Sequence, residues 1–392
     1  MIETIDFALL LLAIAVAVPV MFLVAQLVAA LAPARAPGEV ASVCPSMAVI
    51  MPAHNEEAII ERAVGAILSQ LPPNGRLLVV ADNCTDGTAR VAALAGAEVA
   101  VRSDASLIGK GFALNHGIRV ISADAPEVVV FVDADCVIAQ GSLEVLAKRC
   151  AATGRPVQAR YSMLAPPSAR PADKISQFAW VVKTLARPLG SARLGLPCQL
   201  MGSGMALPIE TARQLDLATG HLAEDQKFGA ELAMIGKAPC FCPQAHVLSQ
   251  FPQEDSGKRQ QRTRWQHGHL AIIGEFFLPL TARAISRGSL QLFAFTLDLC
   301  IPPLSLLVLL LLATQAATLA WFAATGFVAP LIVSLVSLAC LTVAFGAVWL
   351  RLGHEVVSLR ELAALPAYCL RQLASFLRFF VNRQIAWIRT ER

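Results

Sequence analysis

Three long apolar runs and a block of short ones divide this chain. Phe7 to Ala32 carries no charged residue, and its length exceeds the roughly 20 residues a helix needs to cross a bilayer. Gln291 to Phe322 is apolar except for Asp298, and Phe327 to Leu350 is again uncharged. Only Ala323-Ala324-Thr325-Gly326 separates the last two, so they predict a helical hairpin that returns at Arg351. Pro302-Pro303 should break or kink its first arm, which puts the start of the true span after the prolines.

Between the first and second runs the pattern shortens and alternates. Met47–Met51, Leu77–Val80, Glu98–Val101 and Val128–Val132 have the length and apolar content of strands. Glu56 to Gln70 carries Ile59, Ile60, Val64, Ile67 and Leu68 at helical spacing, and Asp86–Ala95 and Gly111–Ser122 also read as helices. Strands alternating with helices predict an α/β class with a mostly parallel sheet covered on both faces. Past residue 150 the pattern loosens. Val157–Tyr161 is a further strand, and Lys174–Leu185 and Asp225–Ile235 are helical, the latter with Phe228, Leu232 and Ile235 on one side. Leu200–Leu207 is rich in small residues. This half is expected to extend the same domain.

The expected organisation is an anchor over residues 1–35, an Ala- and Pro-rich linker, an α/β domain over 45–270, an interfacial segment over 271–290, a membrane hairpin over 291–350 and a tail over 351–392. Composition supports the membrane part. The chain of 392 residues is 56% hydrophobic with a mean hydropathy of +0.60, too apolar for an ordinary soluble protein. Ala30-Leu31-Ala32 would serve as a signal cleavage site, but acidic Glu3 and Asp6 precede the run and it is longer than a signal core. A retained anchor is the better reading. Arg35 then places the N-terminus outside and the α/β domain in the cytoplasm, as in a multi-pass protein of the cytoplasmic (inner) membrane.

A net charge of +4 argues against nucleic acid as a partner. The basic residues are local. Lys258, Arg259, Arg262 and Arg264 precede the hairpin, while Arg371, Arg378, Arg383, Arg389 and Arg392 punctuate the tail. That tail reads as an amphipathic helix lying on the anionic leaflet of the lipid bilayer. The ten cysteines form no disulfide or zinc pattern and read as small buried thiols.

The chemistry-bearing residues gather at strand ends. Asp133-Ala134-Asp135 follows Val128–Val132, where open α/β sheets bind ligands. Hard oxygen ligands suit a divalent cation such as Mg2+ or Mn2+ holding a diphosphate. Alone, Asp-x-Asp is common, and two solvated turn residues would explain it. Asp82 ends the second strand, placed to meet a nucleoside, while Thr85 or Asp86 caps the helix that follows. Pro52-Ala53-His54-Asn55-Glu56-Glu57 follows the first strand, with Asn55 expected to cap the next helix and the acids to complement its dipole. Gly109-Lys110-Gly111 lacks Walker spacing and reads as a loop carrying Lys110 toward a ligand. Glu224-Asp225 heads a helix, either as a charged first turn or with Asp225 as a general base that deprotonates an attacking hydroxyl. Gln261-Arg-Thr-Arg264-Trp265 is either an interfacial anchor or a grip on a leaving diphosphate by Arg264, with Trp265 offering an aromatic face.

In chain order these residues form a series. It runs Pro52-Ala-His-Asn55-Glu56, Asp82, Gly109-Lys110-Gly-x-Ala-Leu-Asn115, Asp133-x-Asp135, Gly202-Ser203-Gly204-Met-Ala, Glu224-Asp225 and Gln261-x-x-Arg264-Trp265. The series resembles the membrane-bound family-2 glycosyltransferases, among them the synthases of cellulose, chitin, hyaluronan and poly-N-acetylglucosamine and the ceramide glucosyltransferases. The resemblance covers about residues 45–270. It implies a GT-A fold, a UDP-sugar donor, Mg2+ or Mn2+ and inversion at the anomeric carbon. By position, Pro52, Asn55, Glu56, Asp82, Lys110 and Asp133 would meet the donor nucleotide, and Asp133 and Asp135 the metal. Asp225 would be the base. Gly202, Ser203, Gly204, Glu224, Gln261, Arg264 and Trp265 would line the acceptor and leaving-group end.

Two departures stand out. Ala223 replaces the threonine that often precedes Glu-Asp. Channel-forming synthases usually carry more membrane helices than the one before and two after expected here, with residues 361–380 held at the interface by Arg371. The implied activity is inverting transfer from a UDP-sugar to a growing β-linked glycan of exopolysaccharide type, with export partners. The alternatives are single-sugar transfer to a lipid acceptor and, in another class, a non-catalytic scaffold subunit of a polysaccharide assembly.

Overall fold

The computed structural model describes residues 2–33 and 43–384. Arg35, Arg389, Arg392 and most of the linker lie outside the described residues. The chain forms two compact units. One takes in residues 43–166, Pro197–Gly268 and Gln384. The other takes in residues 2–33, Pro167–Leu196 and His269–Arg383.

The first unit is built on an eight-stranded sheet: β1 (Met47–Ala53), β2 (Arg76–Asp82), β3 (Glu98–Arg102), β4 (Val128–Phe131), β5 (Val137–Ile138), β6 (Val157–Leu164), β7 (Met205–Pro208) and β8 (Cys240–Gln250). The order is β3-β2-β1-β4-β7-β6-β8-β5. The β3-β2-β1-β4 half is parallel throughout. β7 is antiparallel to both β4 and β6, β8 runs parallel to β6, and β5 is antiparallel to β8. On one face Ile50, Val80, Phe131, Met205 and Leu207 pack under the helices Lys110–Ile121 and Glu224–Met234. Burying such β-branched and aromatic side chains on both faces stabilises the sheet by about 1.5–3 kcal/mol each. Gly117 allows the helix Lys110–Ile121 to lie this close, since a Cβ there would sit 2.7 Å from Ile50 Cγ2.

Two elements differ from expectation. The helix after β1 begins at Ile60, not Glu56. Asn55 therefore does not cap it. It takes a left-handed backbone at φ 55°, and its Oδ1 accepts from the Thr85 amide at 2.7 Å across to the neighbouring loop. The helix headed by Glu224 ends at Met234, which leaves Ile235 exposed.

The second unit is helical. Four helices among the described residues are long and apolar enough to cross a membrane: Ile2–Ala29, Asp255–Ser286, Leu304–Thr325 and Ala329–Gly353. The sequence pattern predicts three. The fourth is hidden because its first half is polar and Glu275 interrupts its second. Its residues up to Gly268 belong to the sheet unit and the rest to the helical unit. Leu290–Leu299 is a separate helix, capped by Ser289, and a new helix starts at Leu304 after the two prolines. The helix Pro171–Val181 continues through a π-helical turn into Arg187–Arg193 and joins this unit instead of extending the α/β domain. Its Ile175, Phe178, Val182 and Ala186 pack with Leu23, Leu27 and Val348. Asp298, the one acid in the long apolar run, is buried against Arg187 at 2.9 Å and accepts from Gln26 Nε2 at 2.7 Å. Pairing of this kind is what makes a buried charge tolerable.

Candidate active site

The parallel strands deliver one cluster of chemistry at their carboxyl ends. β2 ends at Asp82, whose register partner on β3 is Arg102. The two side chains form an ion pair, each about one-tenth exposed. Burial pushes the Asp82 carboxyl upward and Arg102 pulls it back. The Arg102 guanidinium also lies 5.4 Å from the Phe112 ring centre, and its Nη2 donates to the Leu107 carbonyl at 2.9 Å. His54 Nδ1 is 2.7 Å from the Asp82 carbonyl oxygen, so the histidine ties the first loop to the second. Asn55 and Glu56 reinforce that tie, with the Glu56 amide donating to Thr88 Oγ1 at 2.8 Å. Pro52 lies within β1. These residues form one wall at the ends of β1 and β2.

β4 delivers the second wall. Asp133, Asp135 and Cys136 offer ligand atoms that all lie within 4.8 Å of one another. The Asp133 amide donates to Ser203 Oγ at 3.1 Å, and Ser249 Oγ donates to Asp135 Oδ2 at 3.3 Å. Burial pushes the Cys136 thiol far up, with Asp135 and Asp133 adding to the effect, so the hard ligands here are the two carboxylates. The chemistry of the pair fits a divalent cation, and the positive group already drawn to Asp133 is Lys110.

Lys110 joins the walls. Its Nζ lies 2.5 Å from Asp133 Oδ1, 2.5 Å from the Gly202 carbonyl oxygen and 3.8 Å from Glu224 Oε1. Burial works against its charge, but Asp133 and Glu224 outweigh it and hold the ammonium well above the ordinary lysine range. Burial likewise raises the Glu224 carboxyl, with Lys110 pulling the other way. Asp225 stands beside them. A Cβ built on Gly202 would lie 3.6 Å from Asp225 Oδ2 and 3.8 Å from Lys110 Nζ.

The Gly202-Ser203-Gly204 turn is held from below. Gly202 and Gly204 have φ of 90° and 69°, a backbone that favours glycine. At Gly204 a side chain is excluded as well, since a Cβ would meet Val247 Cγ2 at 2.7 Å and Ala159 Cβ at 2.8 Å. Gln158, fully buried on β6, accepts from the Met201 amide at 2.8 Å and donates to the Ser203 carbonyl at 2.9 Å.

The helix starting at Asp255 closes this side. Gly268 lets it touch the residues before Glu224, as a Cβ there would lie 3.0 Å from Ala223 Cβ. Gln261, Arg264 and Trp265 precede Gly268 by seven, four and three residues and so share its face of the helix. Gln261 is buried, while Arg264 and Trp265 are half-buried. Ala223 is the small residue that this contact uses.

Asp133, Lys110, Gly202, Ser203, Glu224 and Asp225 are thus brought together. Asp82 sits on the wall at the ends of β1 and β2, and Gln261, Arg264 and Trp265 lie on the helix face that carries Gly268, which meets Ala223. The sequence reading missed Arg102 and Gln158. Arg102 could have been found by extending the third strand one residue and pairing its end with Asp82. Nothing local marks Gln158.

Over 98% of this chain and 100% of the other, the fold is similar to a solved mannosyltransferase, PcManGT from Pyrobaculum calidifontis, in complex with GDP-Man and Mn2+. The TM-score is 0.58 at 18% sequence identity, a likeness of fold, and that fold is of the GT-A type. A model of the family described as glycosyltransferase like family 2 matches residues 45–268, more than half of the chain, and the protein belongs to that family. Uncharacterized glycosyltransferases from Mycobacterium tuberculosis and Mycobacterium bovis are each 38% identical over 101 residues, 26% of this chain. The match spans 42% of the length of these curated relatives.

Proposed function

We propose that this protein is an inverting, metal-dependent glycosyltransferase of the inner membrane, with its sheet unit in the cytoplasm. It moves a sugar from a nucleotide diphosphate sugar, with UDP as the first choice of nucleotide, to a growing β-linked glycan. The observation that carries this reading is the Lys110 bridge, which gathers Asp133, the Gly202 carbonyl and Glu224 beside Asp225. Charge for a diphosphate and a carboxylate for an attacking hydroxyl lie within one cluster.

Asp133 and Asp135 would hold Mg2+ or Mn2+, which when bound neutralises charge on the diphosphate. The other steps fall to the chain's own groups. Asp82, fixed by Arg102, presents a carboxylate to the nucleoside. Lys110 supplies a second positive charge at the diphosphate. Asp225 accepts the proton of the acceptor hydroxyl as that oxygen attacks the anomeric carbon from the side opposite the leaving group. Arg264 grips the departing diphosphate in a forked contact that lysine cannot match. The glycine turn lets the acceptor approach the backbone closely.

A lipid acceptor is the second reading, and one observation favours it. Pro167–Leu196 leads directly into the glycine turn, and the helix bearing Arg264 and Trp265 continues into the apolar unit. Two acceptor-side elements are therefore continuous in chain with the helical unit, one of them through a helix long and apolar enough to cross a membrane. The test is nucleoside diphosphate release by the full chain in membranes, with UDP-sugars and GDP-sugars offered singly, followed by sizing of the product. A chain of sugars supports the glycan reading and one sugar on lipid the alternative. Nucleotide binding with no turnover of any donor would leave a scaffold subunit.

A further inference from the structure

Arg160 is the one strongly charged group near this site that the proposed reaction does not use. It lies on β6 and is half-buried. Its Nε is sealed from solvent and meets no hydrogen-bond acceptor, and among the described residues its guanidinium makes no ion pair. The charge cannot be shed, because arginine stays protonated in proteins. A sealed Nε–H without an acceptor costs free energy that a bound anion would return.

The pleat shows where the side chain points. Phe131, Met205 and Gln158 are directly opposite one another across β4, β7 and β6, so they share a face. That is the face covered by the helices Lys110–Ile121 and Glu224–Met234. A register shift falls between Ala159 and Arg160, with the extra residues on β8. β6 keeps its alternation across it, because Ala159 and Val247, the register partner of Tyr161, both border Gly204. Arg160 therefore shares the face of Gln158, roughly 7 Å farther along the strand. Gln158 holds Met201 and Ser203, the root of the glycine turn beside Asp225. Ser162 and His246 follow on that face, with Ser162 Oγ and His246 Nε2 hydrogen-bonded at 2.9 Å. His246 is the register partner of Arg160. Of the carboxylates in the cluster, Asp133 and Glu224 pair with Lys110.

We propose that Arg160, with Ser162 and His246 beside it, forms an anion subsite for the acceptor, which therefore carries a phosphate or carboxylate a few ångströms from the hydroxyl that reacts. This rests on the glycosyltransferase reading above. The anion could belong to a lipid phosphate or to a soluble sugar phosphate, since the guanidinium recognises the same group in each.

The test uses the full chain in detergent with UDP and Mg2+ present, so that the donor site is filled. Inorganic phosphate is the probe and thermal unfolding the readout. Phosphate should raise the midpoint of the wild type in a dose-dependent way, Arg160→Lys should keep part of the effect and Arg160→Gln should lose it, with UDP affinity equal in all three. An equal phosphate response in Arg160→Gln overturns the subsite, as does no response in the wild type. A second arm measures nucleoside diphosphate release with vesicles containing a long-chain lipid phosphate, with neutral vesicles, and with a soluble sugar phosphate. Arg160→Gln should raise KM for the anionic acceptor about 10- to 100-fold, in keeping with a lost charge-assisted contact, and whichever anionic acceptor shows this identifies the source. An unchanged KM for every anionic acceptor in Arg160→Gln overturns the inference while leaving the glycosyltransferase reading intact, and a neutral acceptor, which should turn over equally in both, is the control. Absence of donor binding would instead remove the reading itself.

Discussion

The parallel and mixed halves of the sheet treat charge in opposite ways. In the parallel half charges are matched within the chain. Asp82 pairs with Arg102, and Arg76 meets Glu98 through two contacts of 2.9 and 2.8 Å. In the mixed half the half-buried Arg160 has a sealed Nε that meets no acceptor, and the nearby turn relies on two glycines at positive φ. Matched charge costs little to keep and fixes side-chain direction before any ligand arrives. Unmatched charge is costly at rest and is relieved by what binds. The end proposed for the nucleoside is therefore set before a ligand arrives, while the end proposed for the acceptor is completed by what binds there.

The contrast can be broken most directly at the cluster between the halves. Asp225→Asn should lower turnover by about a hundred- to ten-thousand-fold while UDP affinity stays within error of the wild type. Near-normal diphosphate release would take Asp225 out of the base role. Next in size is Gln158→Leu, which orphans the Met201 amide and the Ser203 carbonyl in a buried place. A loss of roughly 2–4 kcal/mol in denaturant unfolding is expected, and a loss below about 1 kcal/mol would mean the turn does not depend on this side chain. Gly204→Ala and Gly202→Ala separate packing from backbone strain. Both place a side chain at positive φ, costing about 1–2 kcal/mol, but only Gly204→Ala adds overpacking of about 1–3 kcal/mol. Equal effects on the unfolding midpoint would contradict the contacts with Val247 and Ala159.

The smallest effect concerns pH. Burial raises the Glu224 carboxyl, so the folded chain holds that proton more tightly than the unfolded one. The stability this gives is present below the ordinary carboxylate range and is lost as pH rises through the raised value. Glu224→Gln removes the dependence. Its unfolding temperature relative to wild type should therefore climb between about pH 5 and pH 8, and a flat difference would show that Lys110 keeps Glu224 ionised throughout.

The same two halves explain what could be seen in the sequence. Three of the four parallel strands, β1, β2 and β4, are short, apolar and buried on both faces, so composition alone marks them, while β3 is an exposed edge strand. Asp82 and Asp133 follow because strand ends are where such sheets bind ligands. In the mixed half only β6 carries such a signal, over Val157–Tyr161. β8 contains Cys240, Cys242, Pro243 and His246, and β7 is a four-residue strand inside a small-residue segment. The helical start at Ile60 was misplaced because Asn55, a good cap by type, spends its side chain on the neighbouring loop. Arg102 and Arg160 look alike as isolated letters; only register reveals that one is paired and the other is not. The span ending at Ser286 was obscured by its polar first half, which packs against Ala223.

Gln158 has a consequence for how fast this site breathes and how it can change. One fully buried side chain bonds the turn to the middle of a strand, so the Met201 amide should exchange its hydrogen with solvent as slowly as the sheet itself. A turn that opens only when the sheet opens cannot act as a lid. Relatives built on the same plan would alter acceptor choice by exchanging side chains around a fixed backbone, and Arg160 is the position where such an exchange changes the charge.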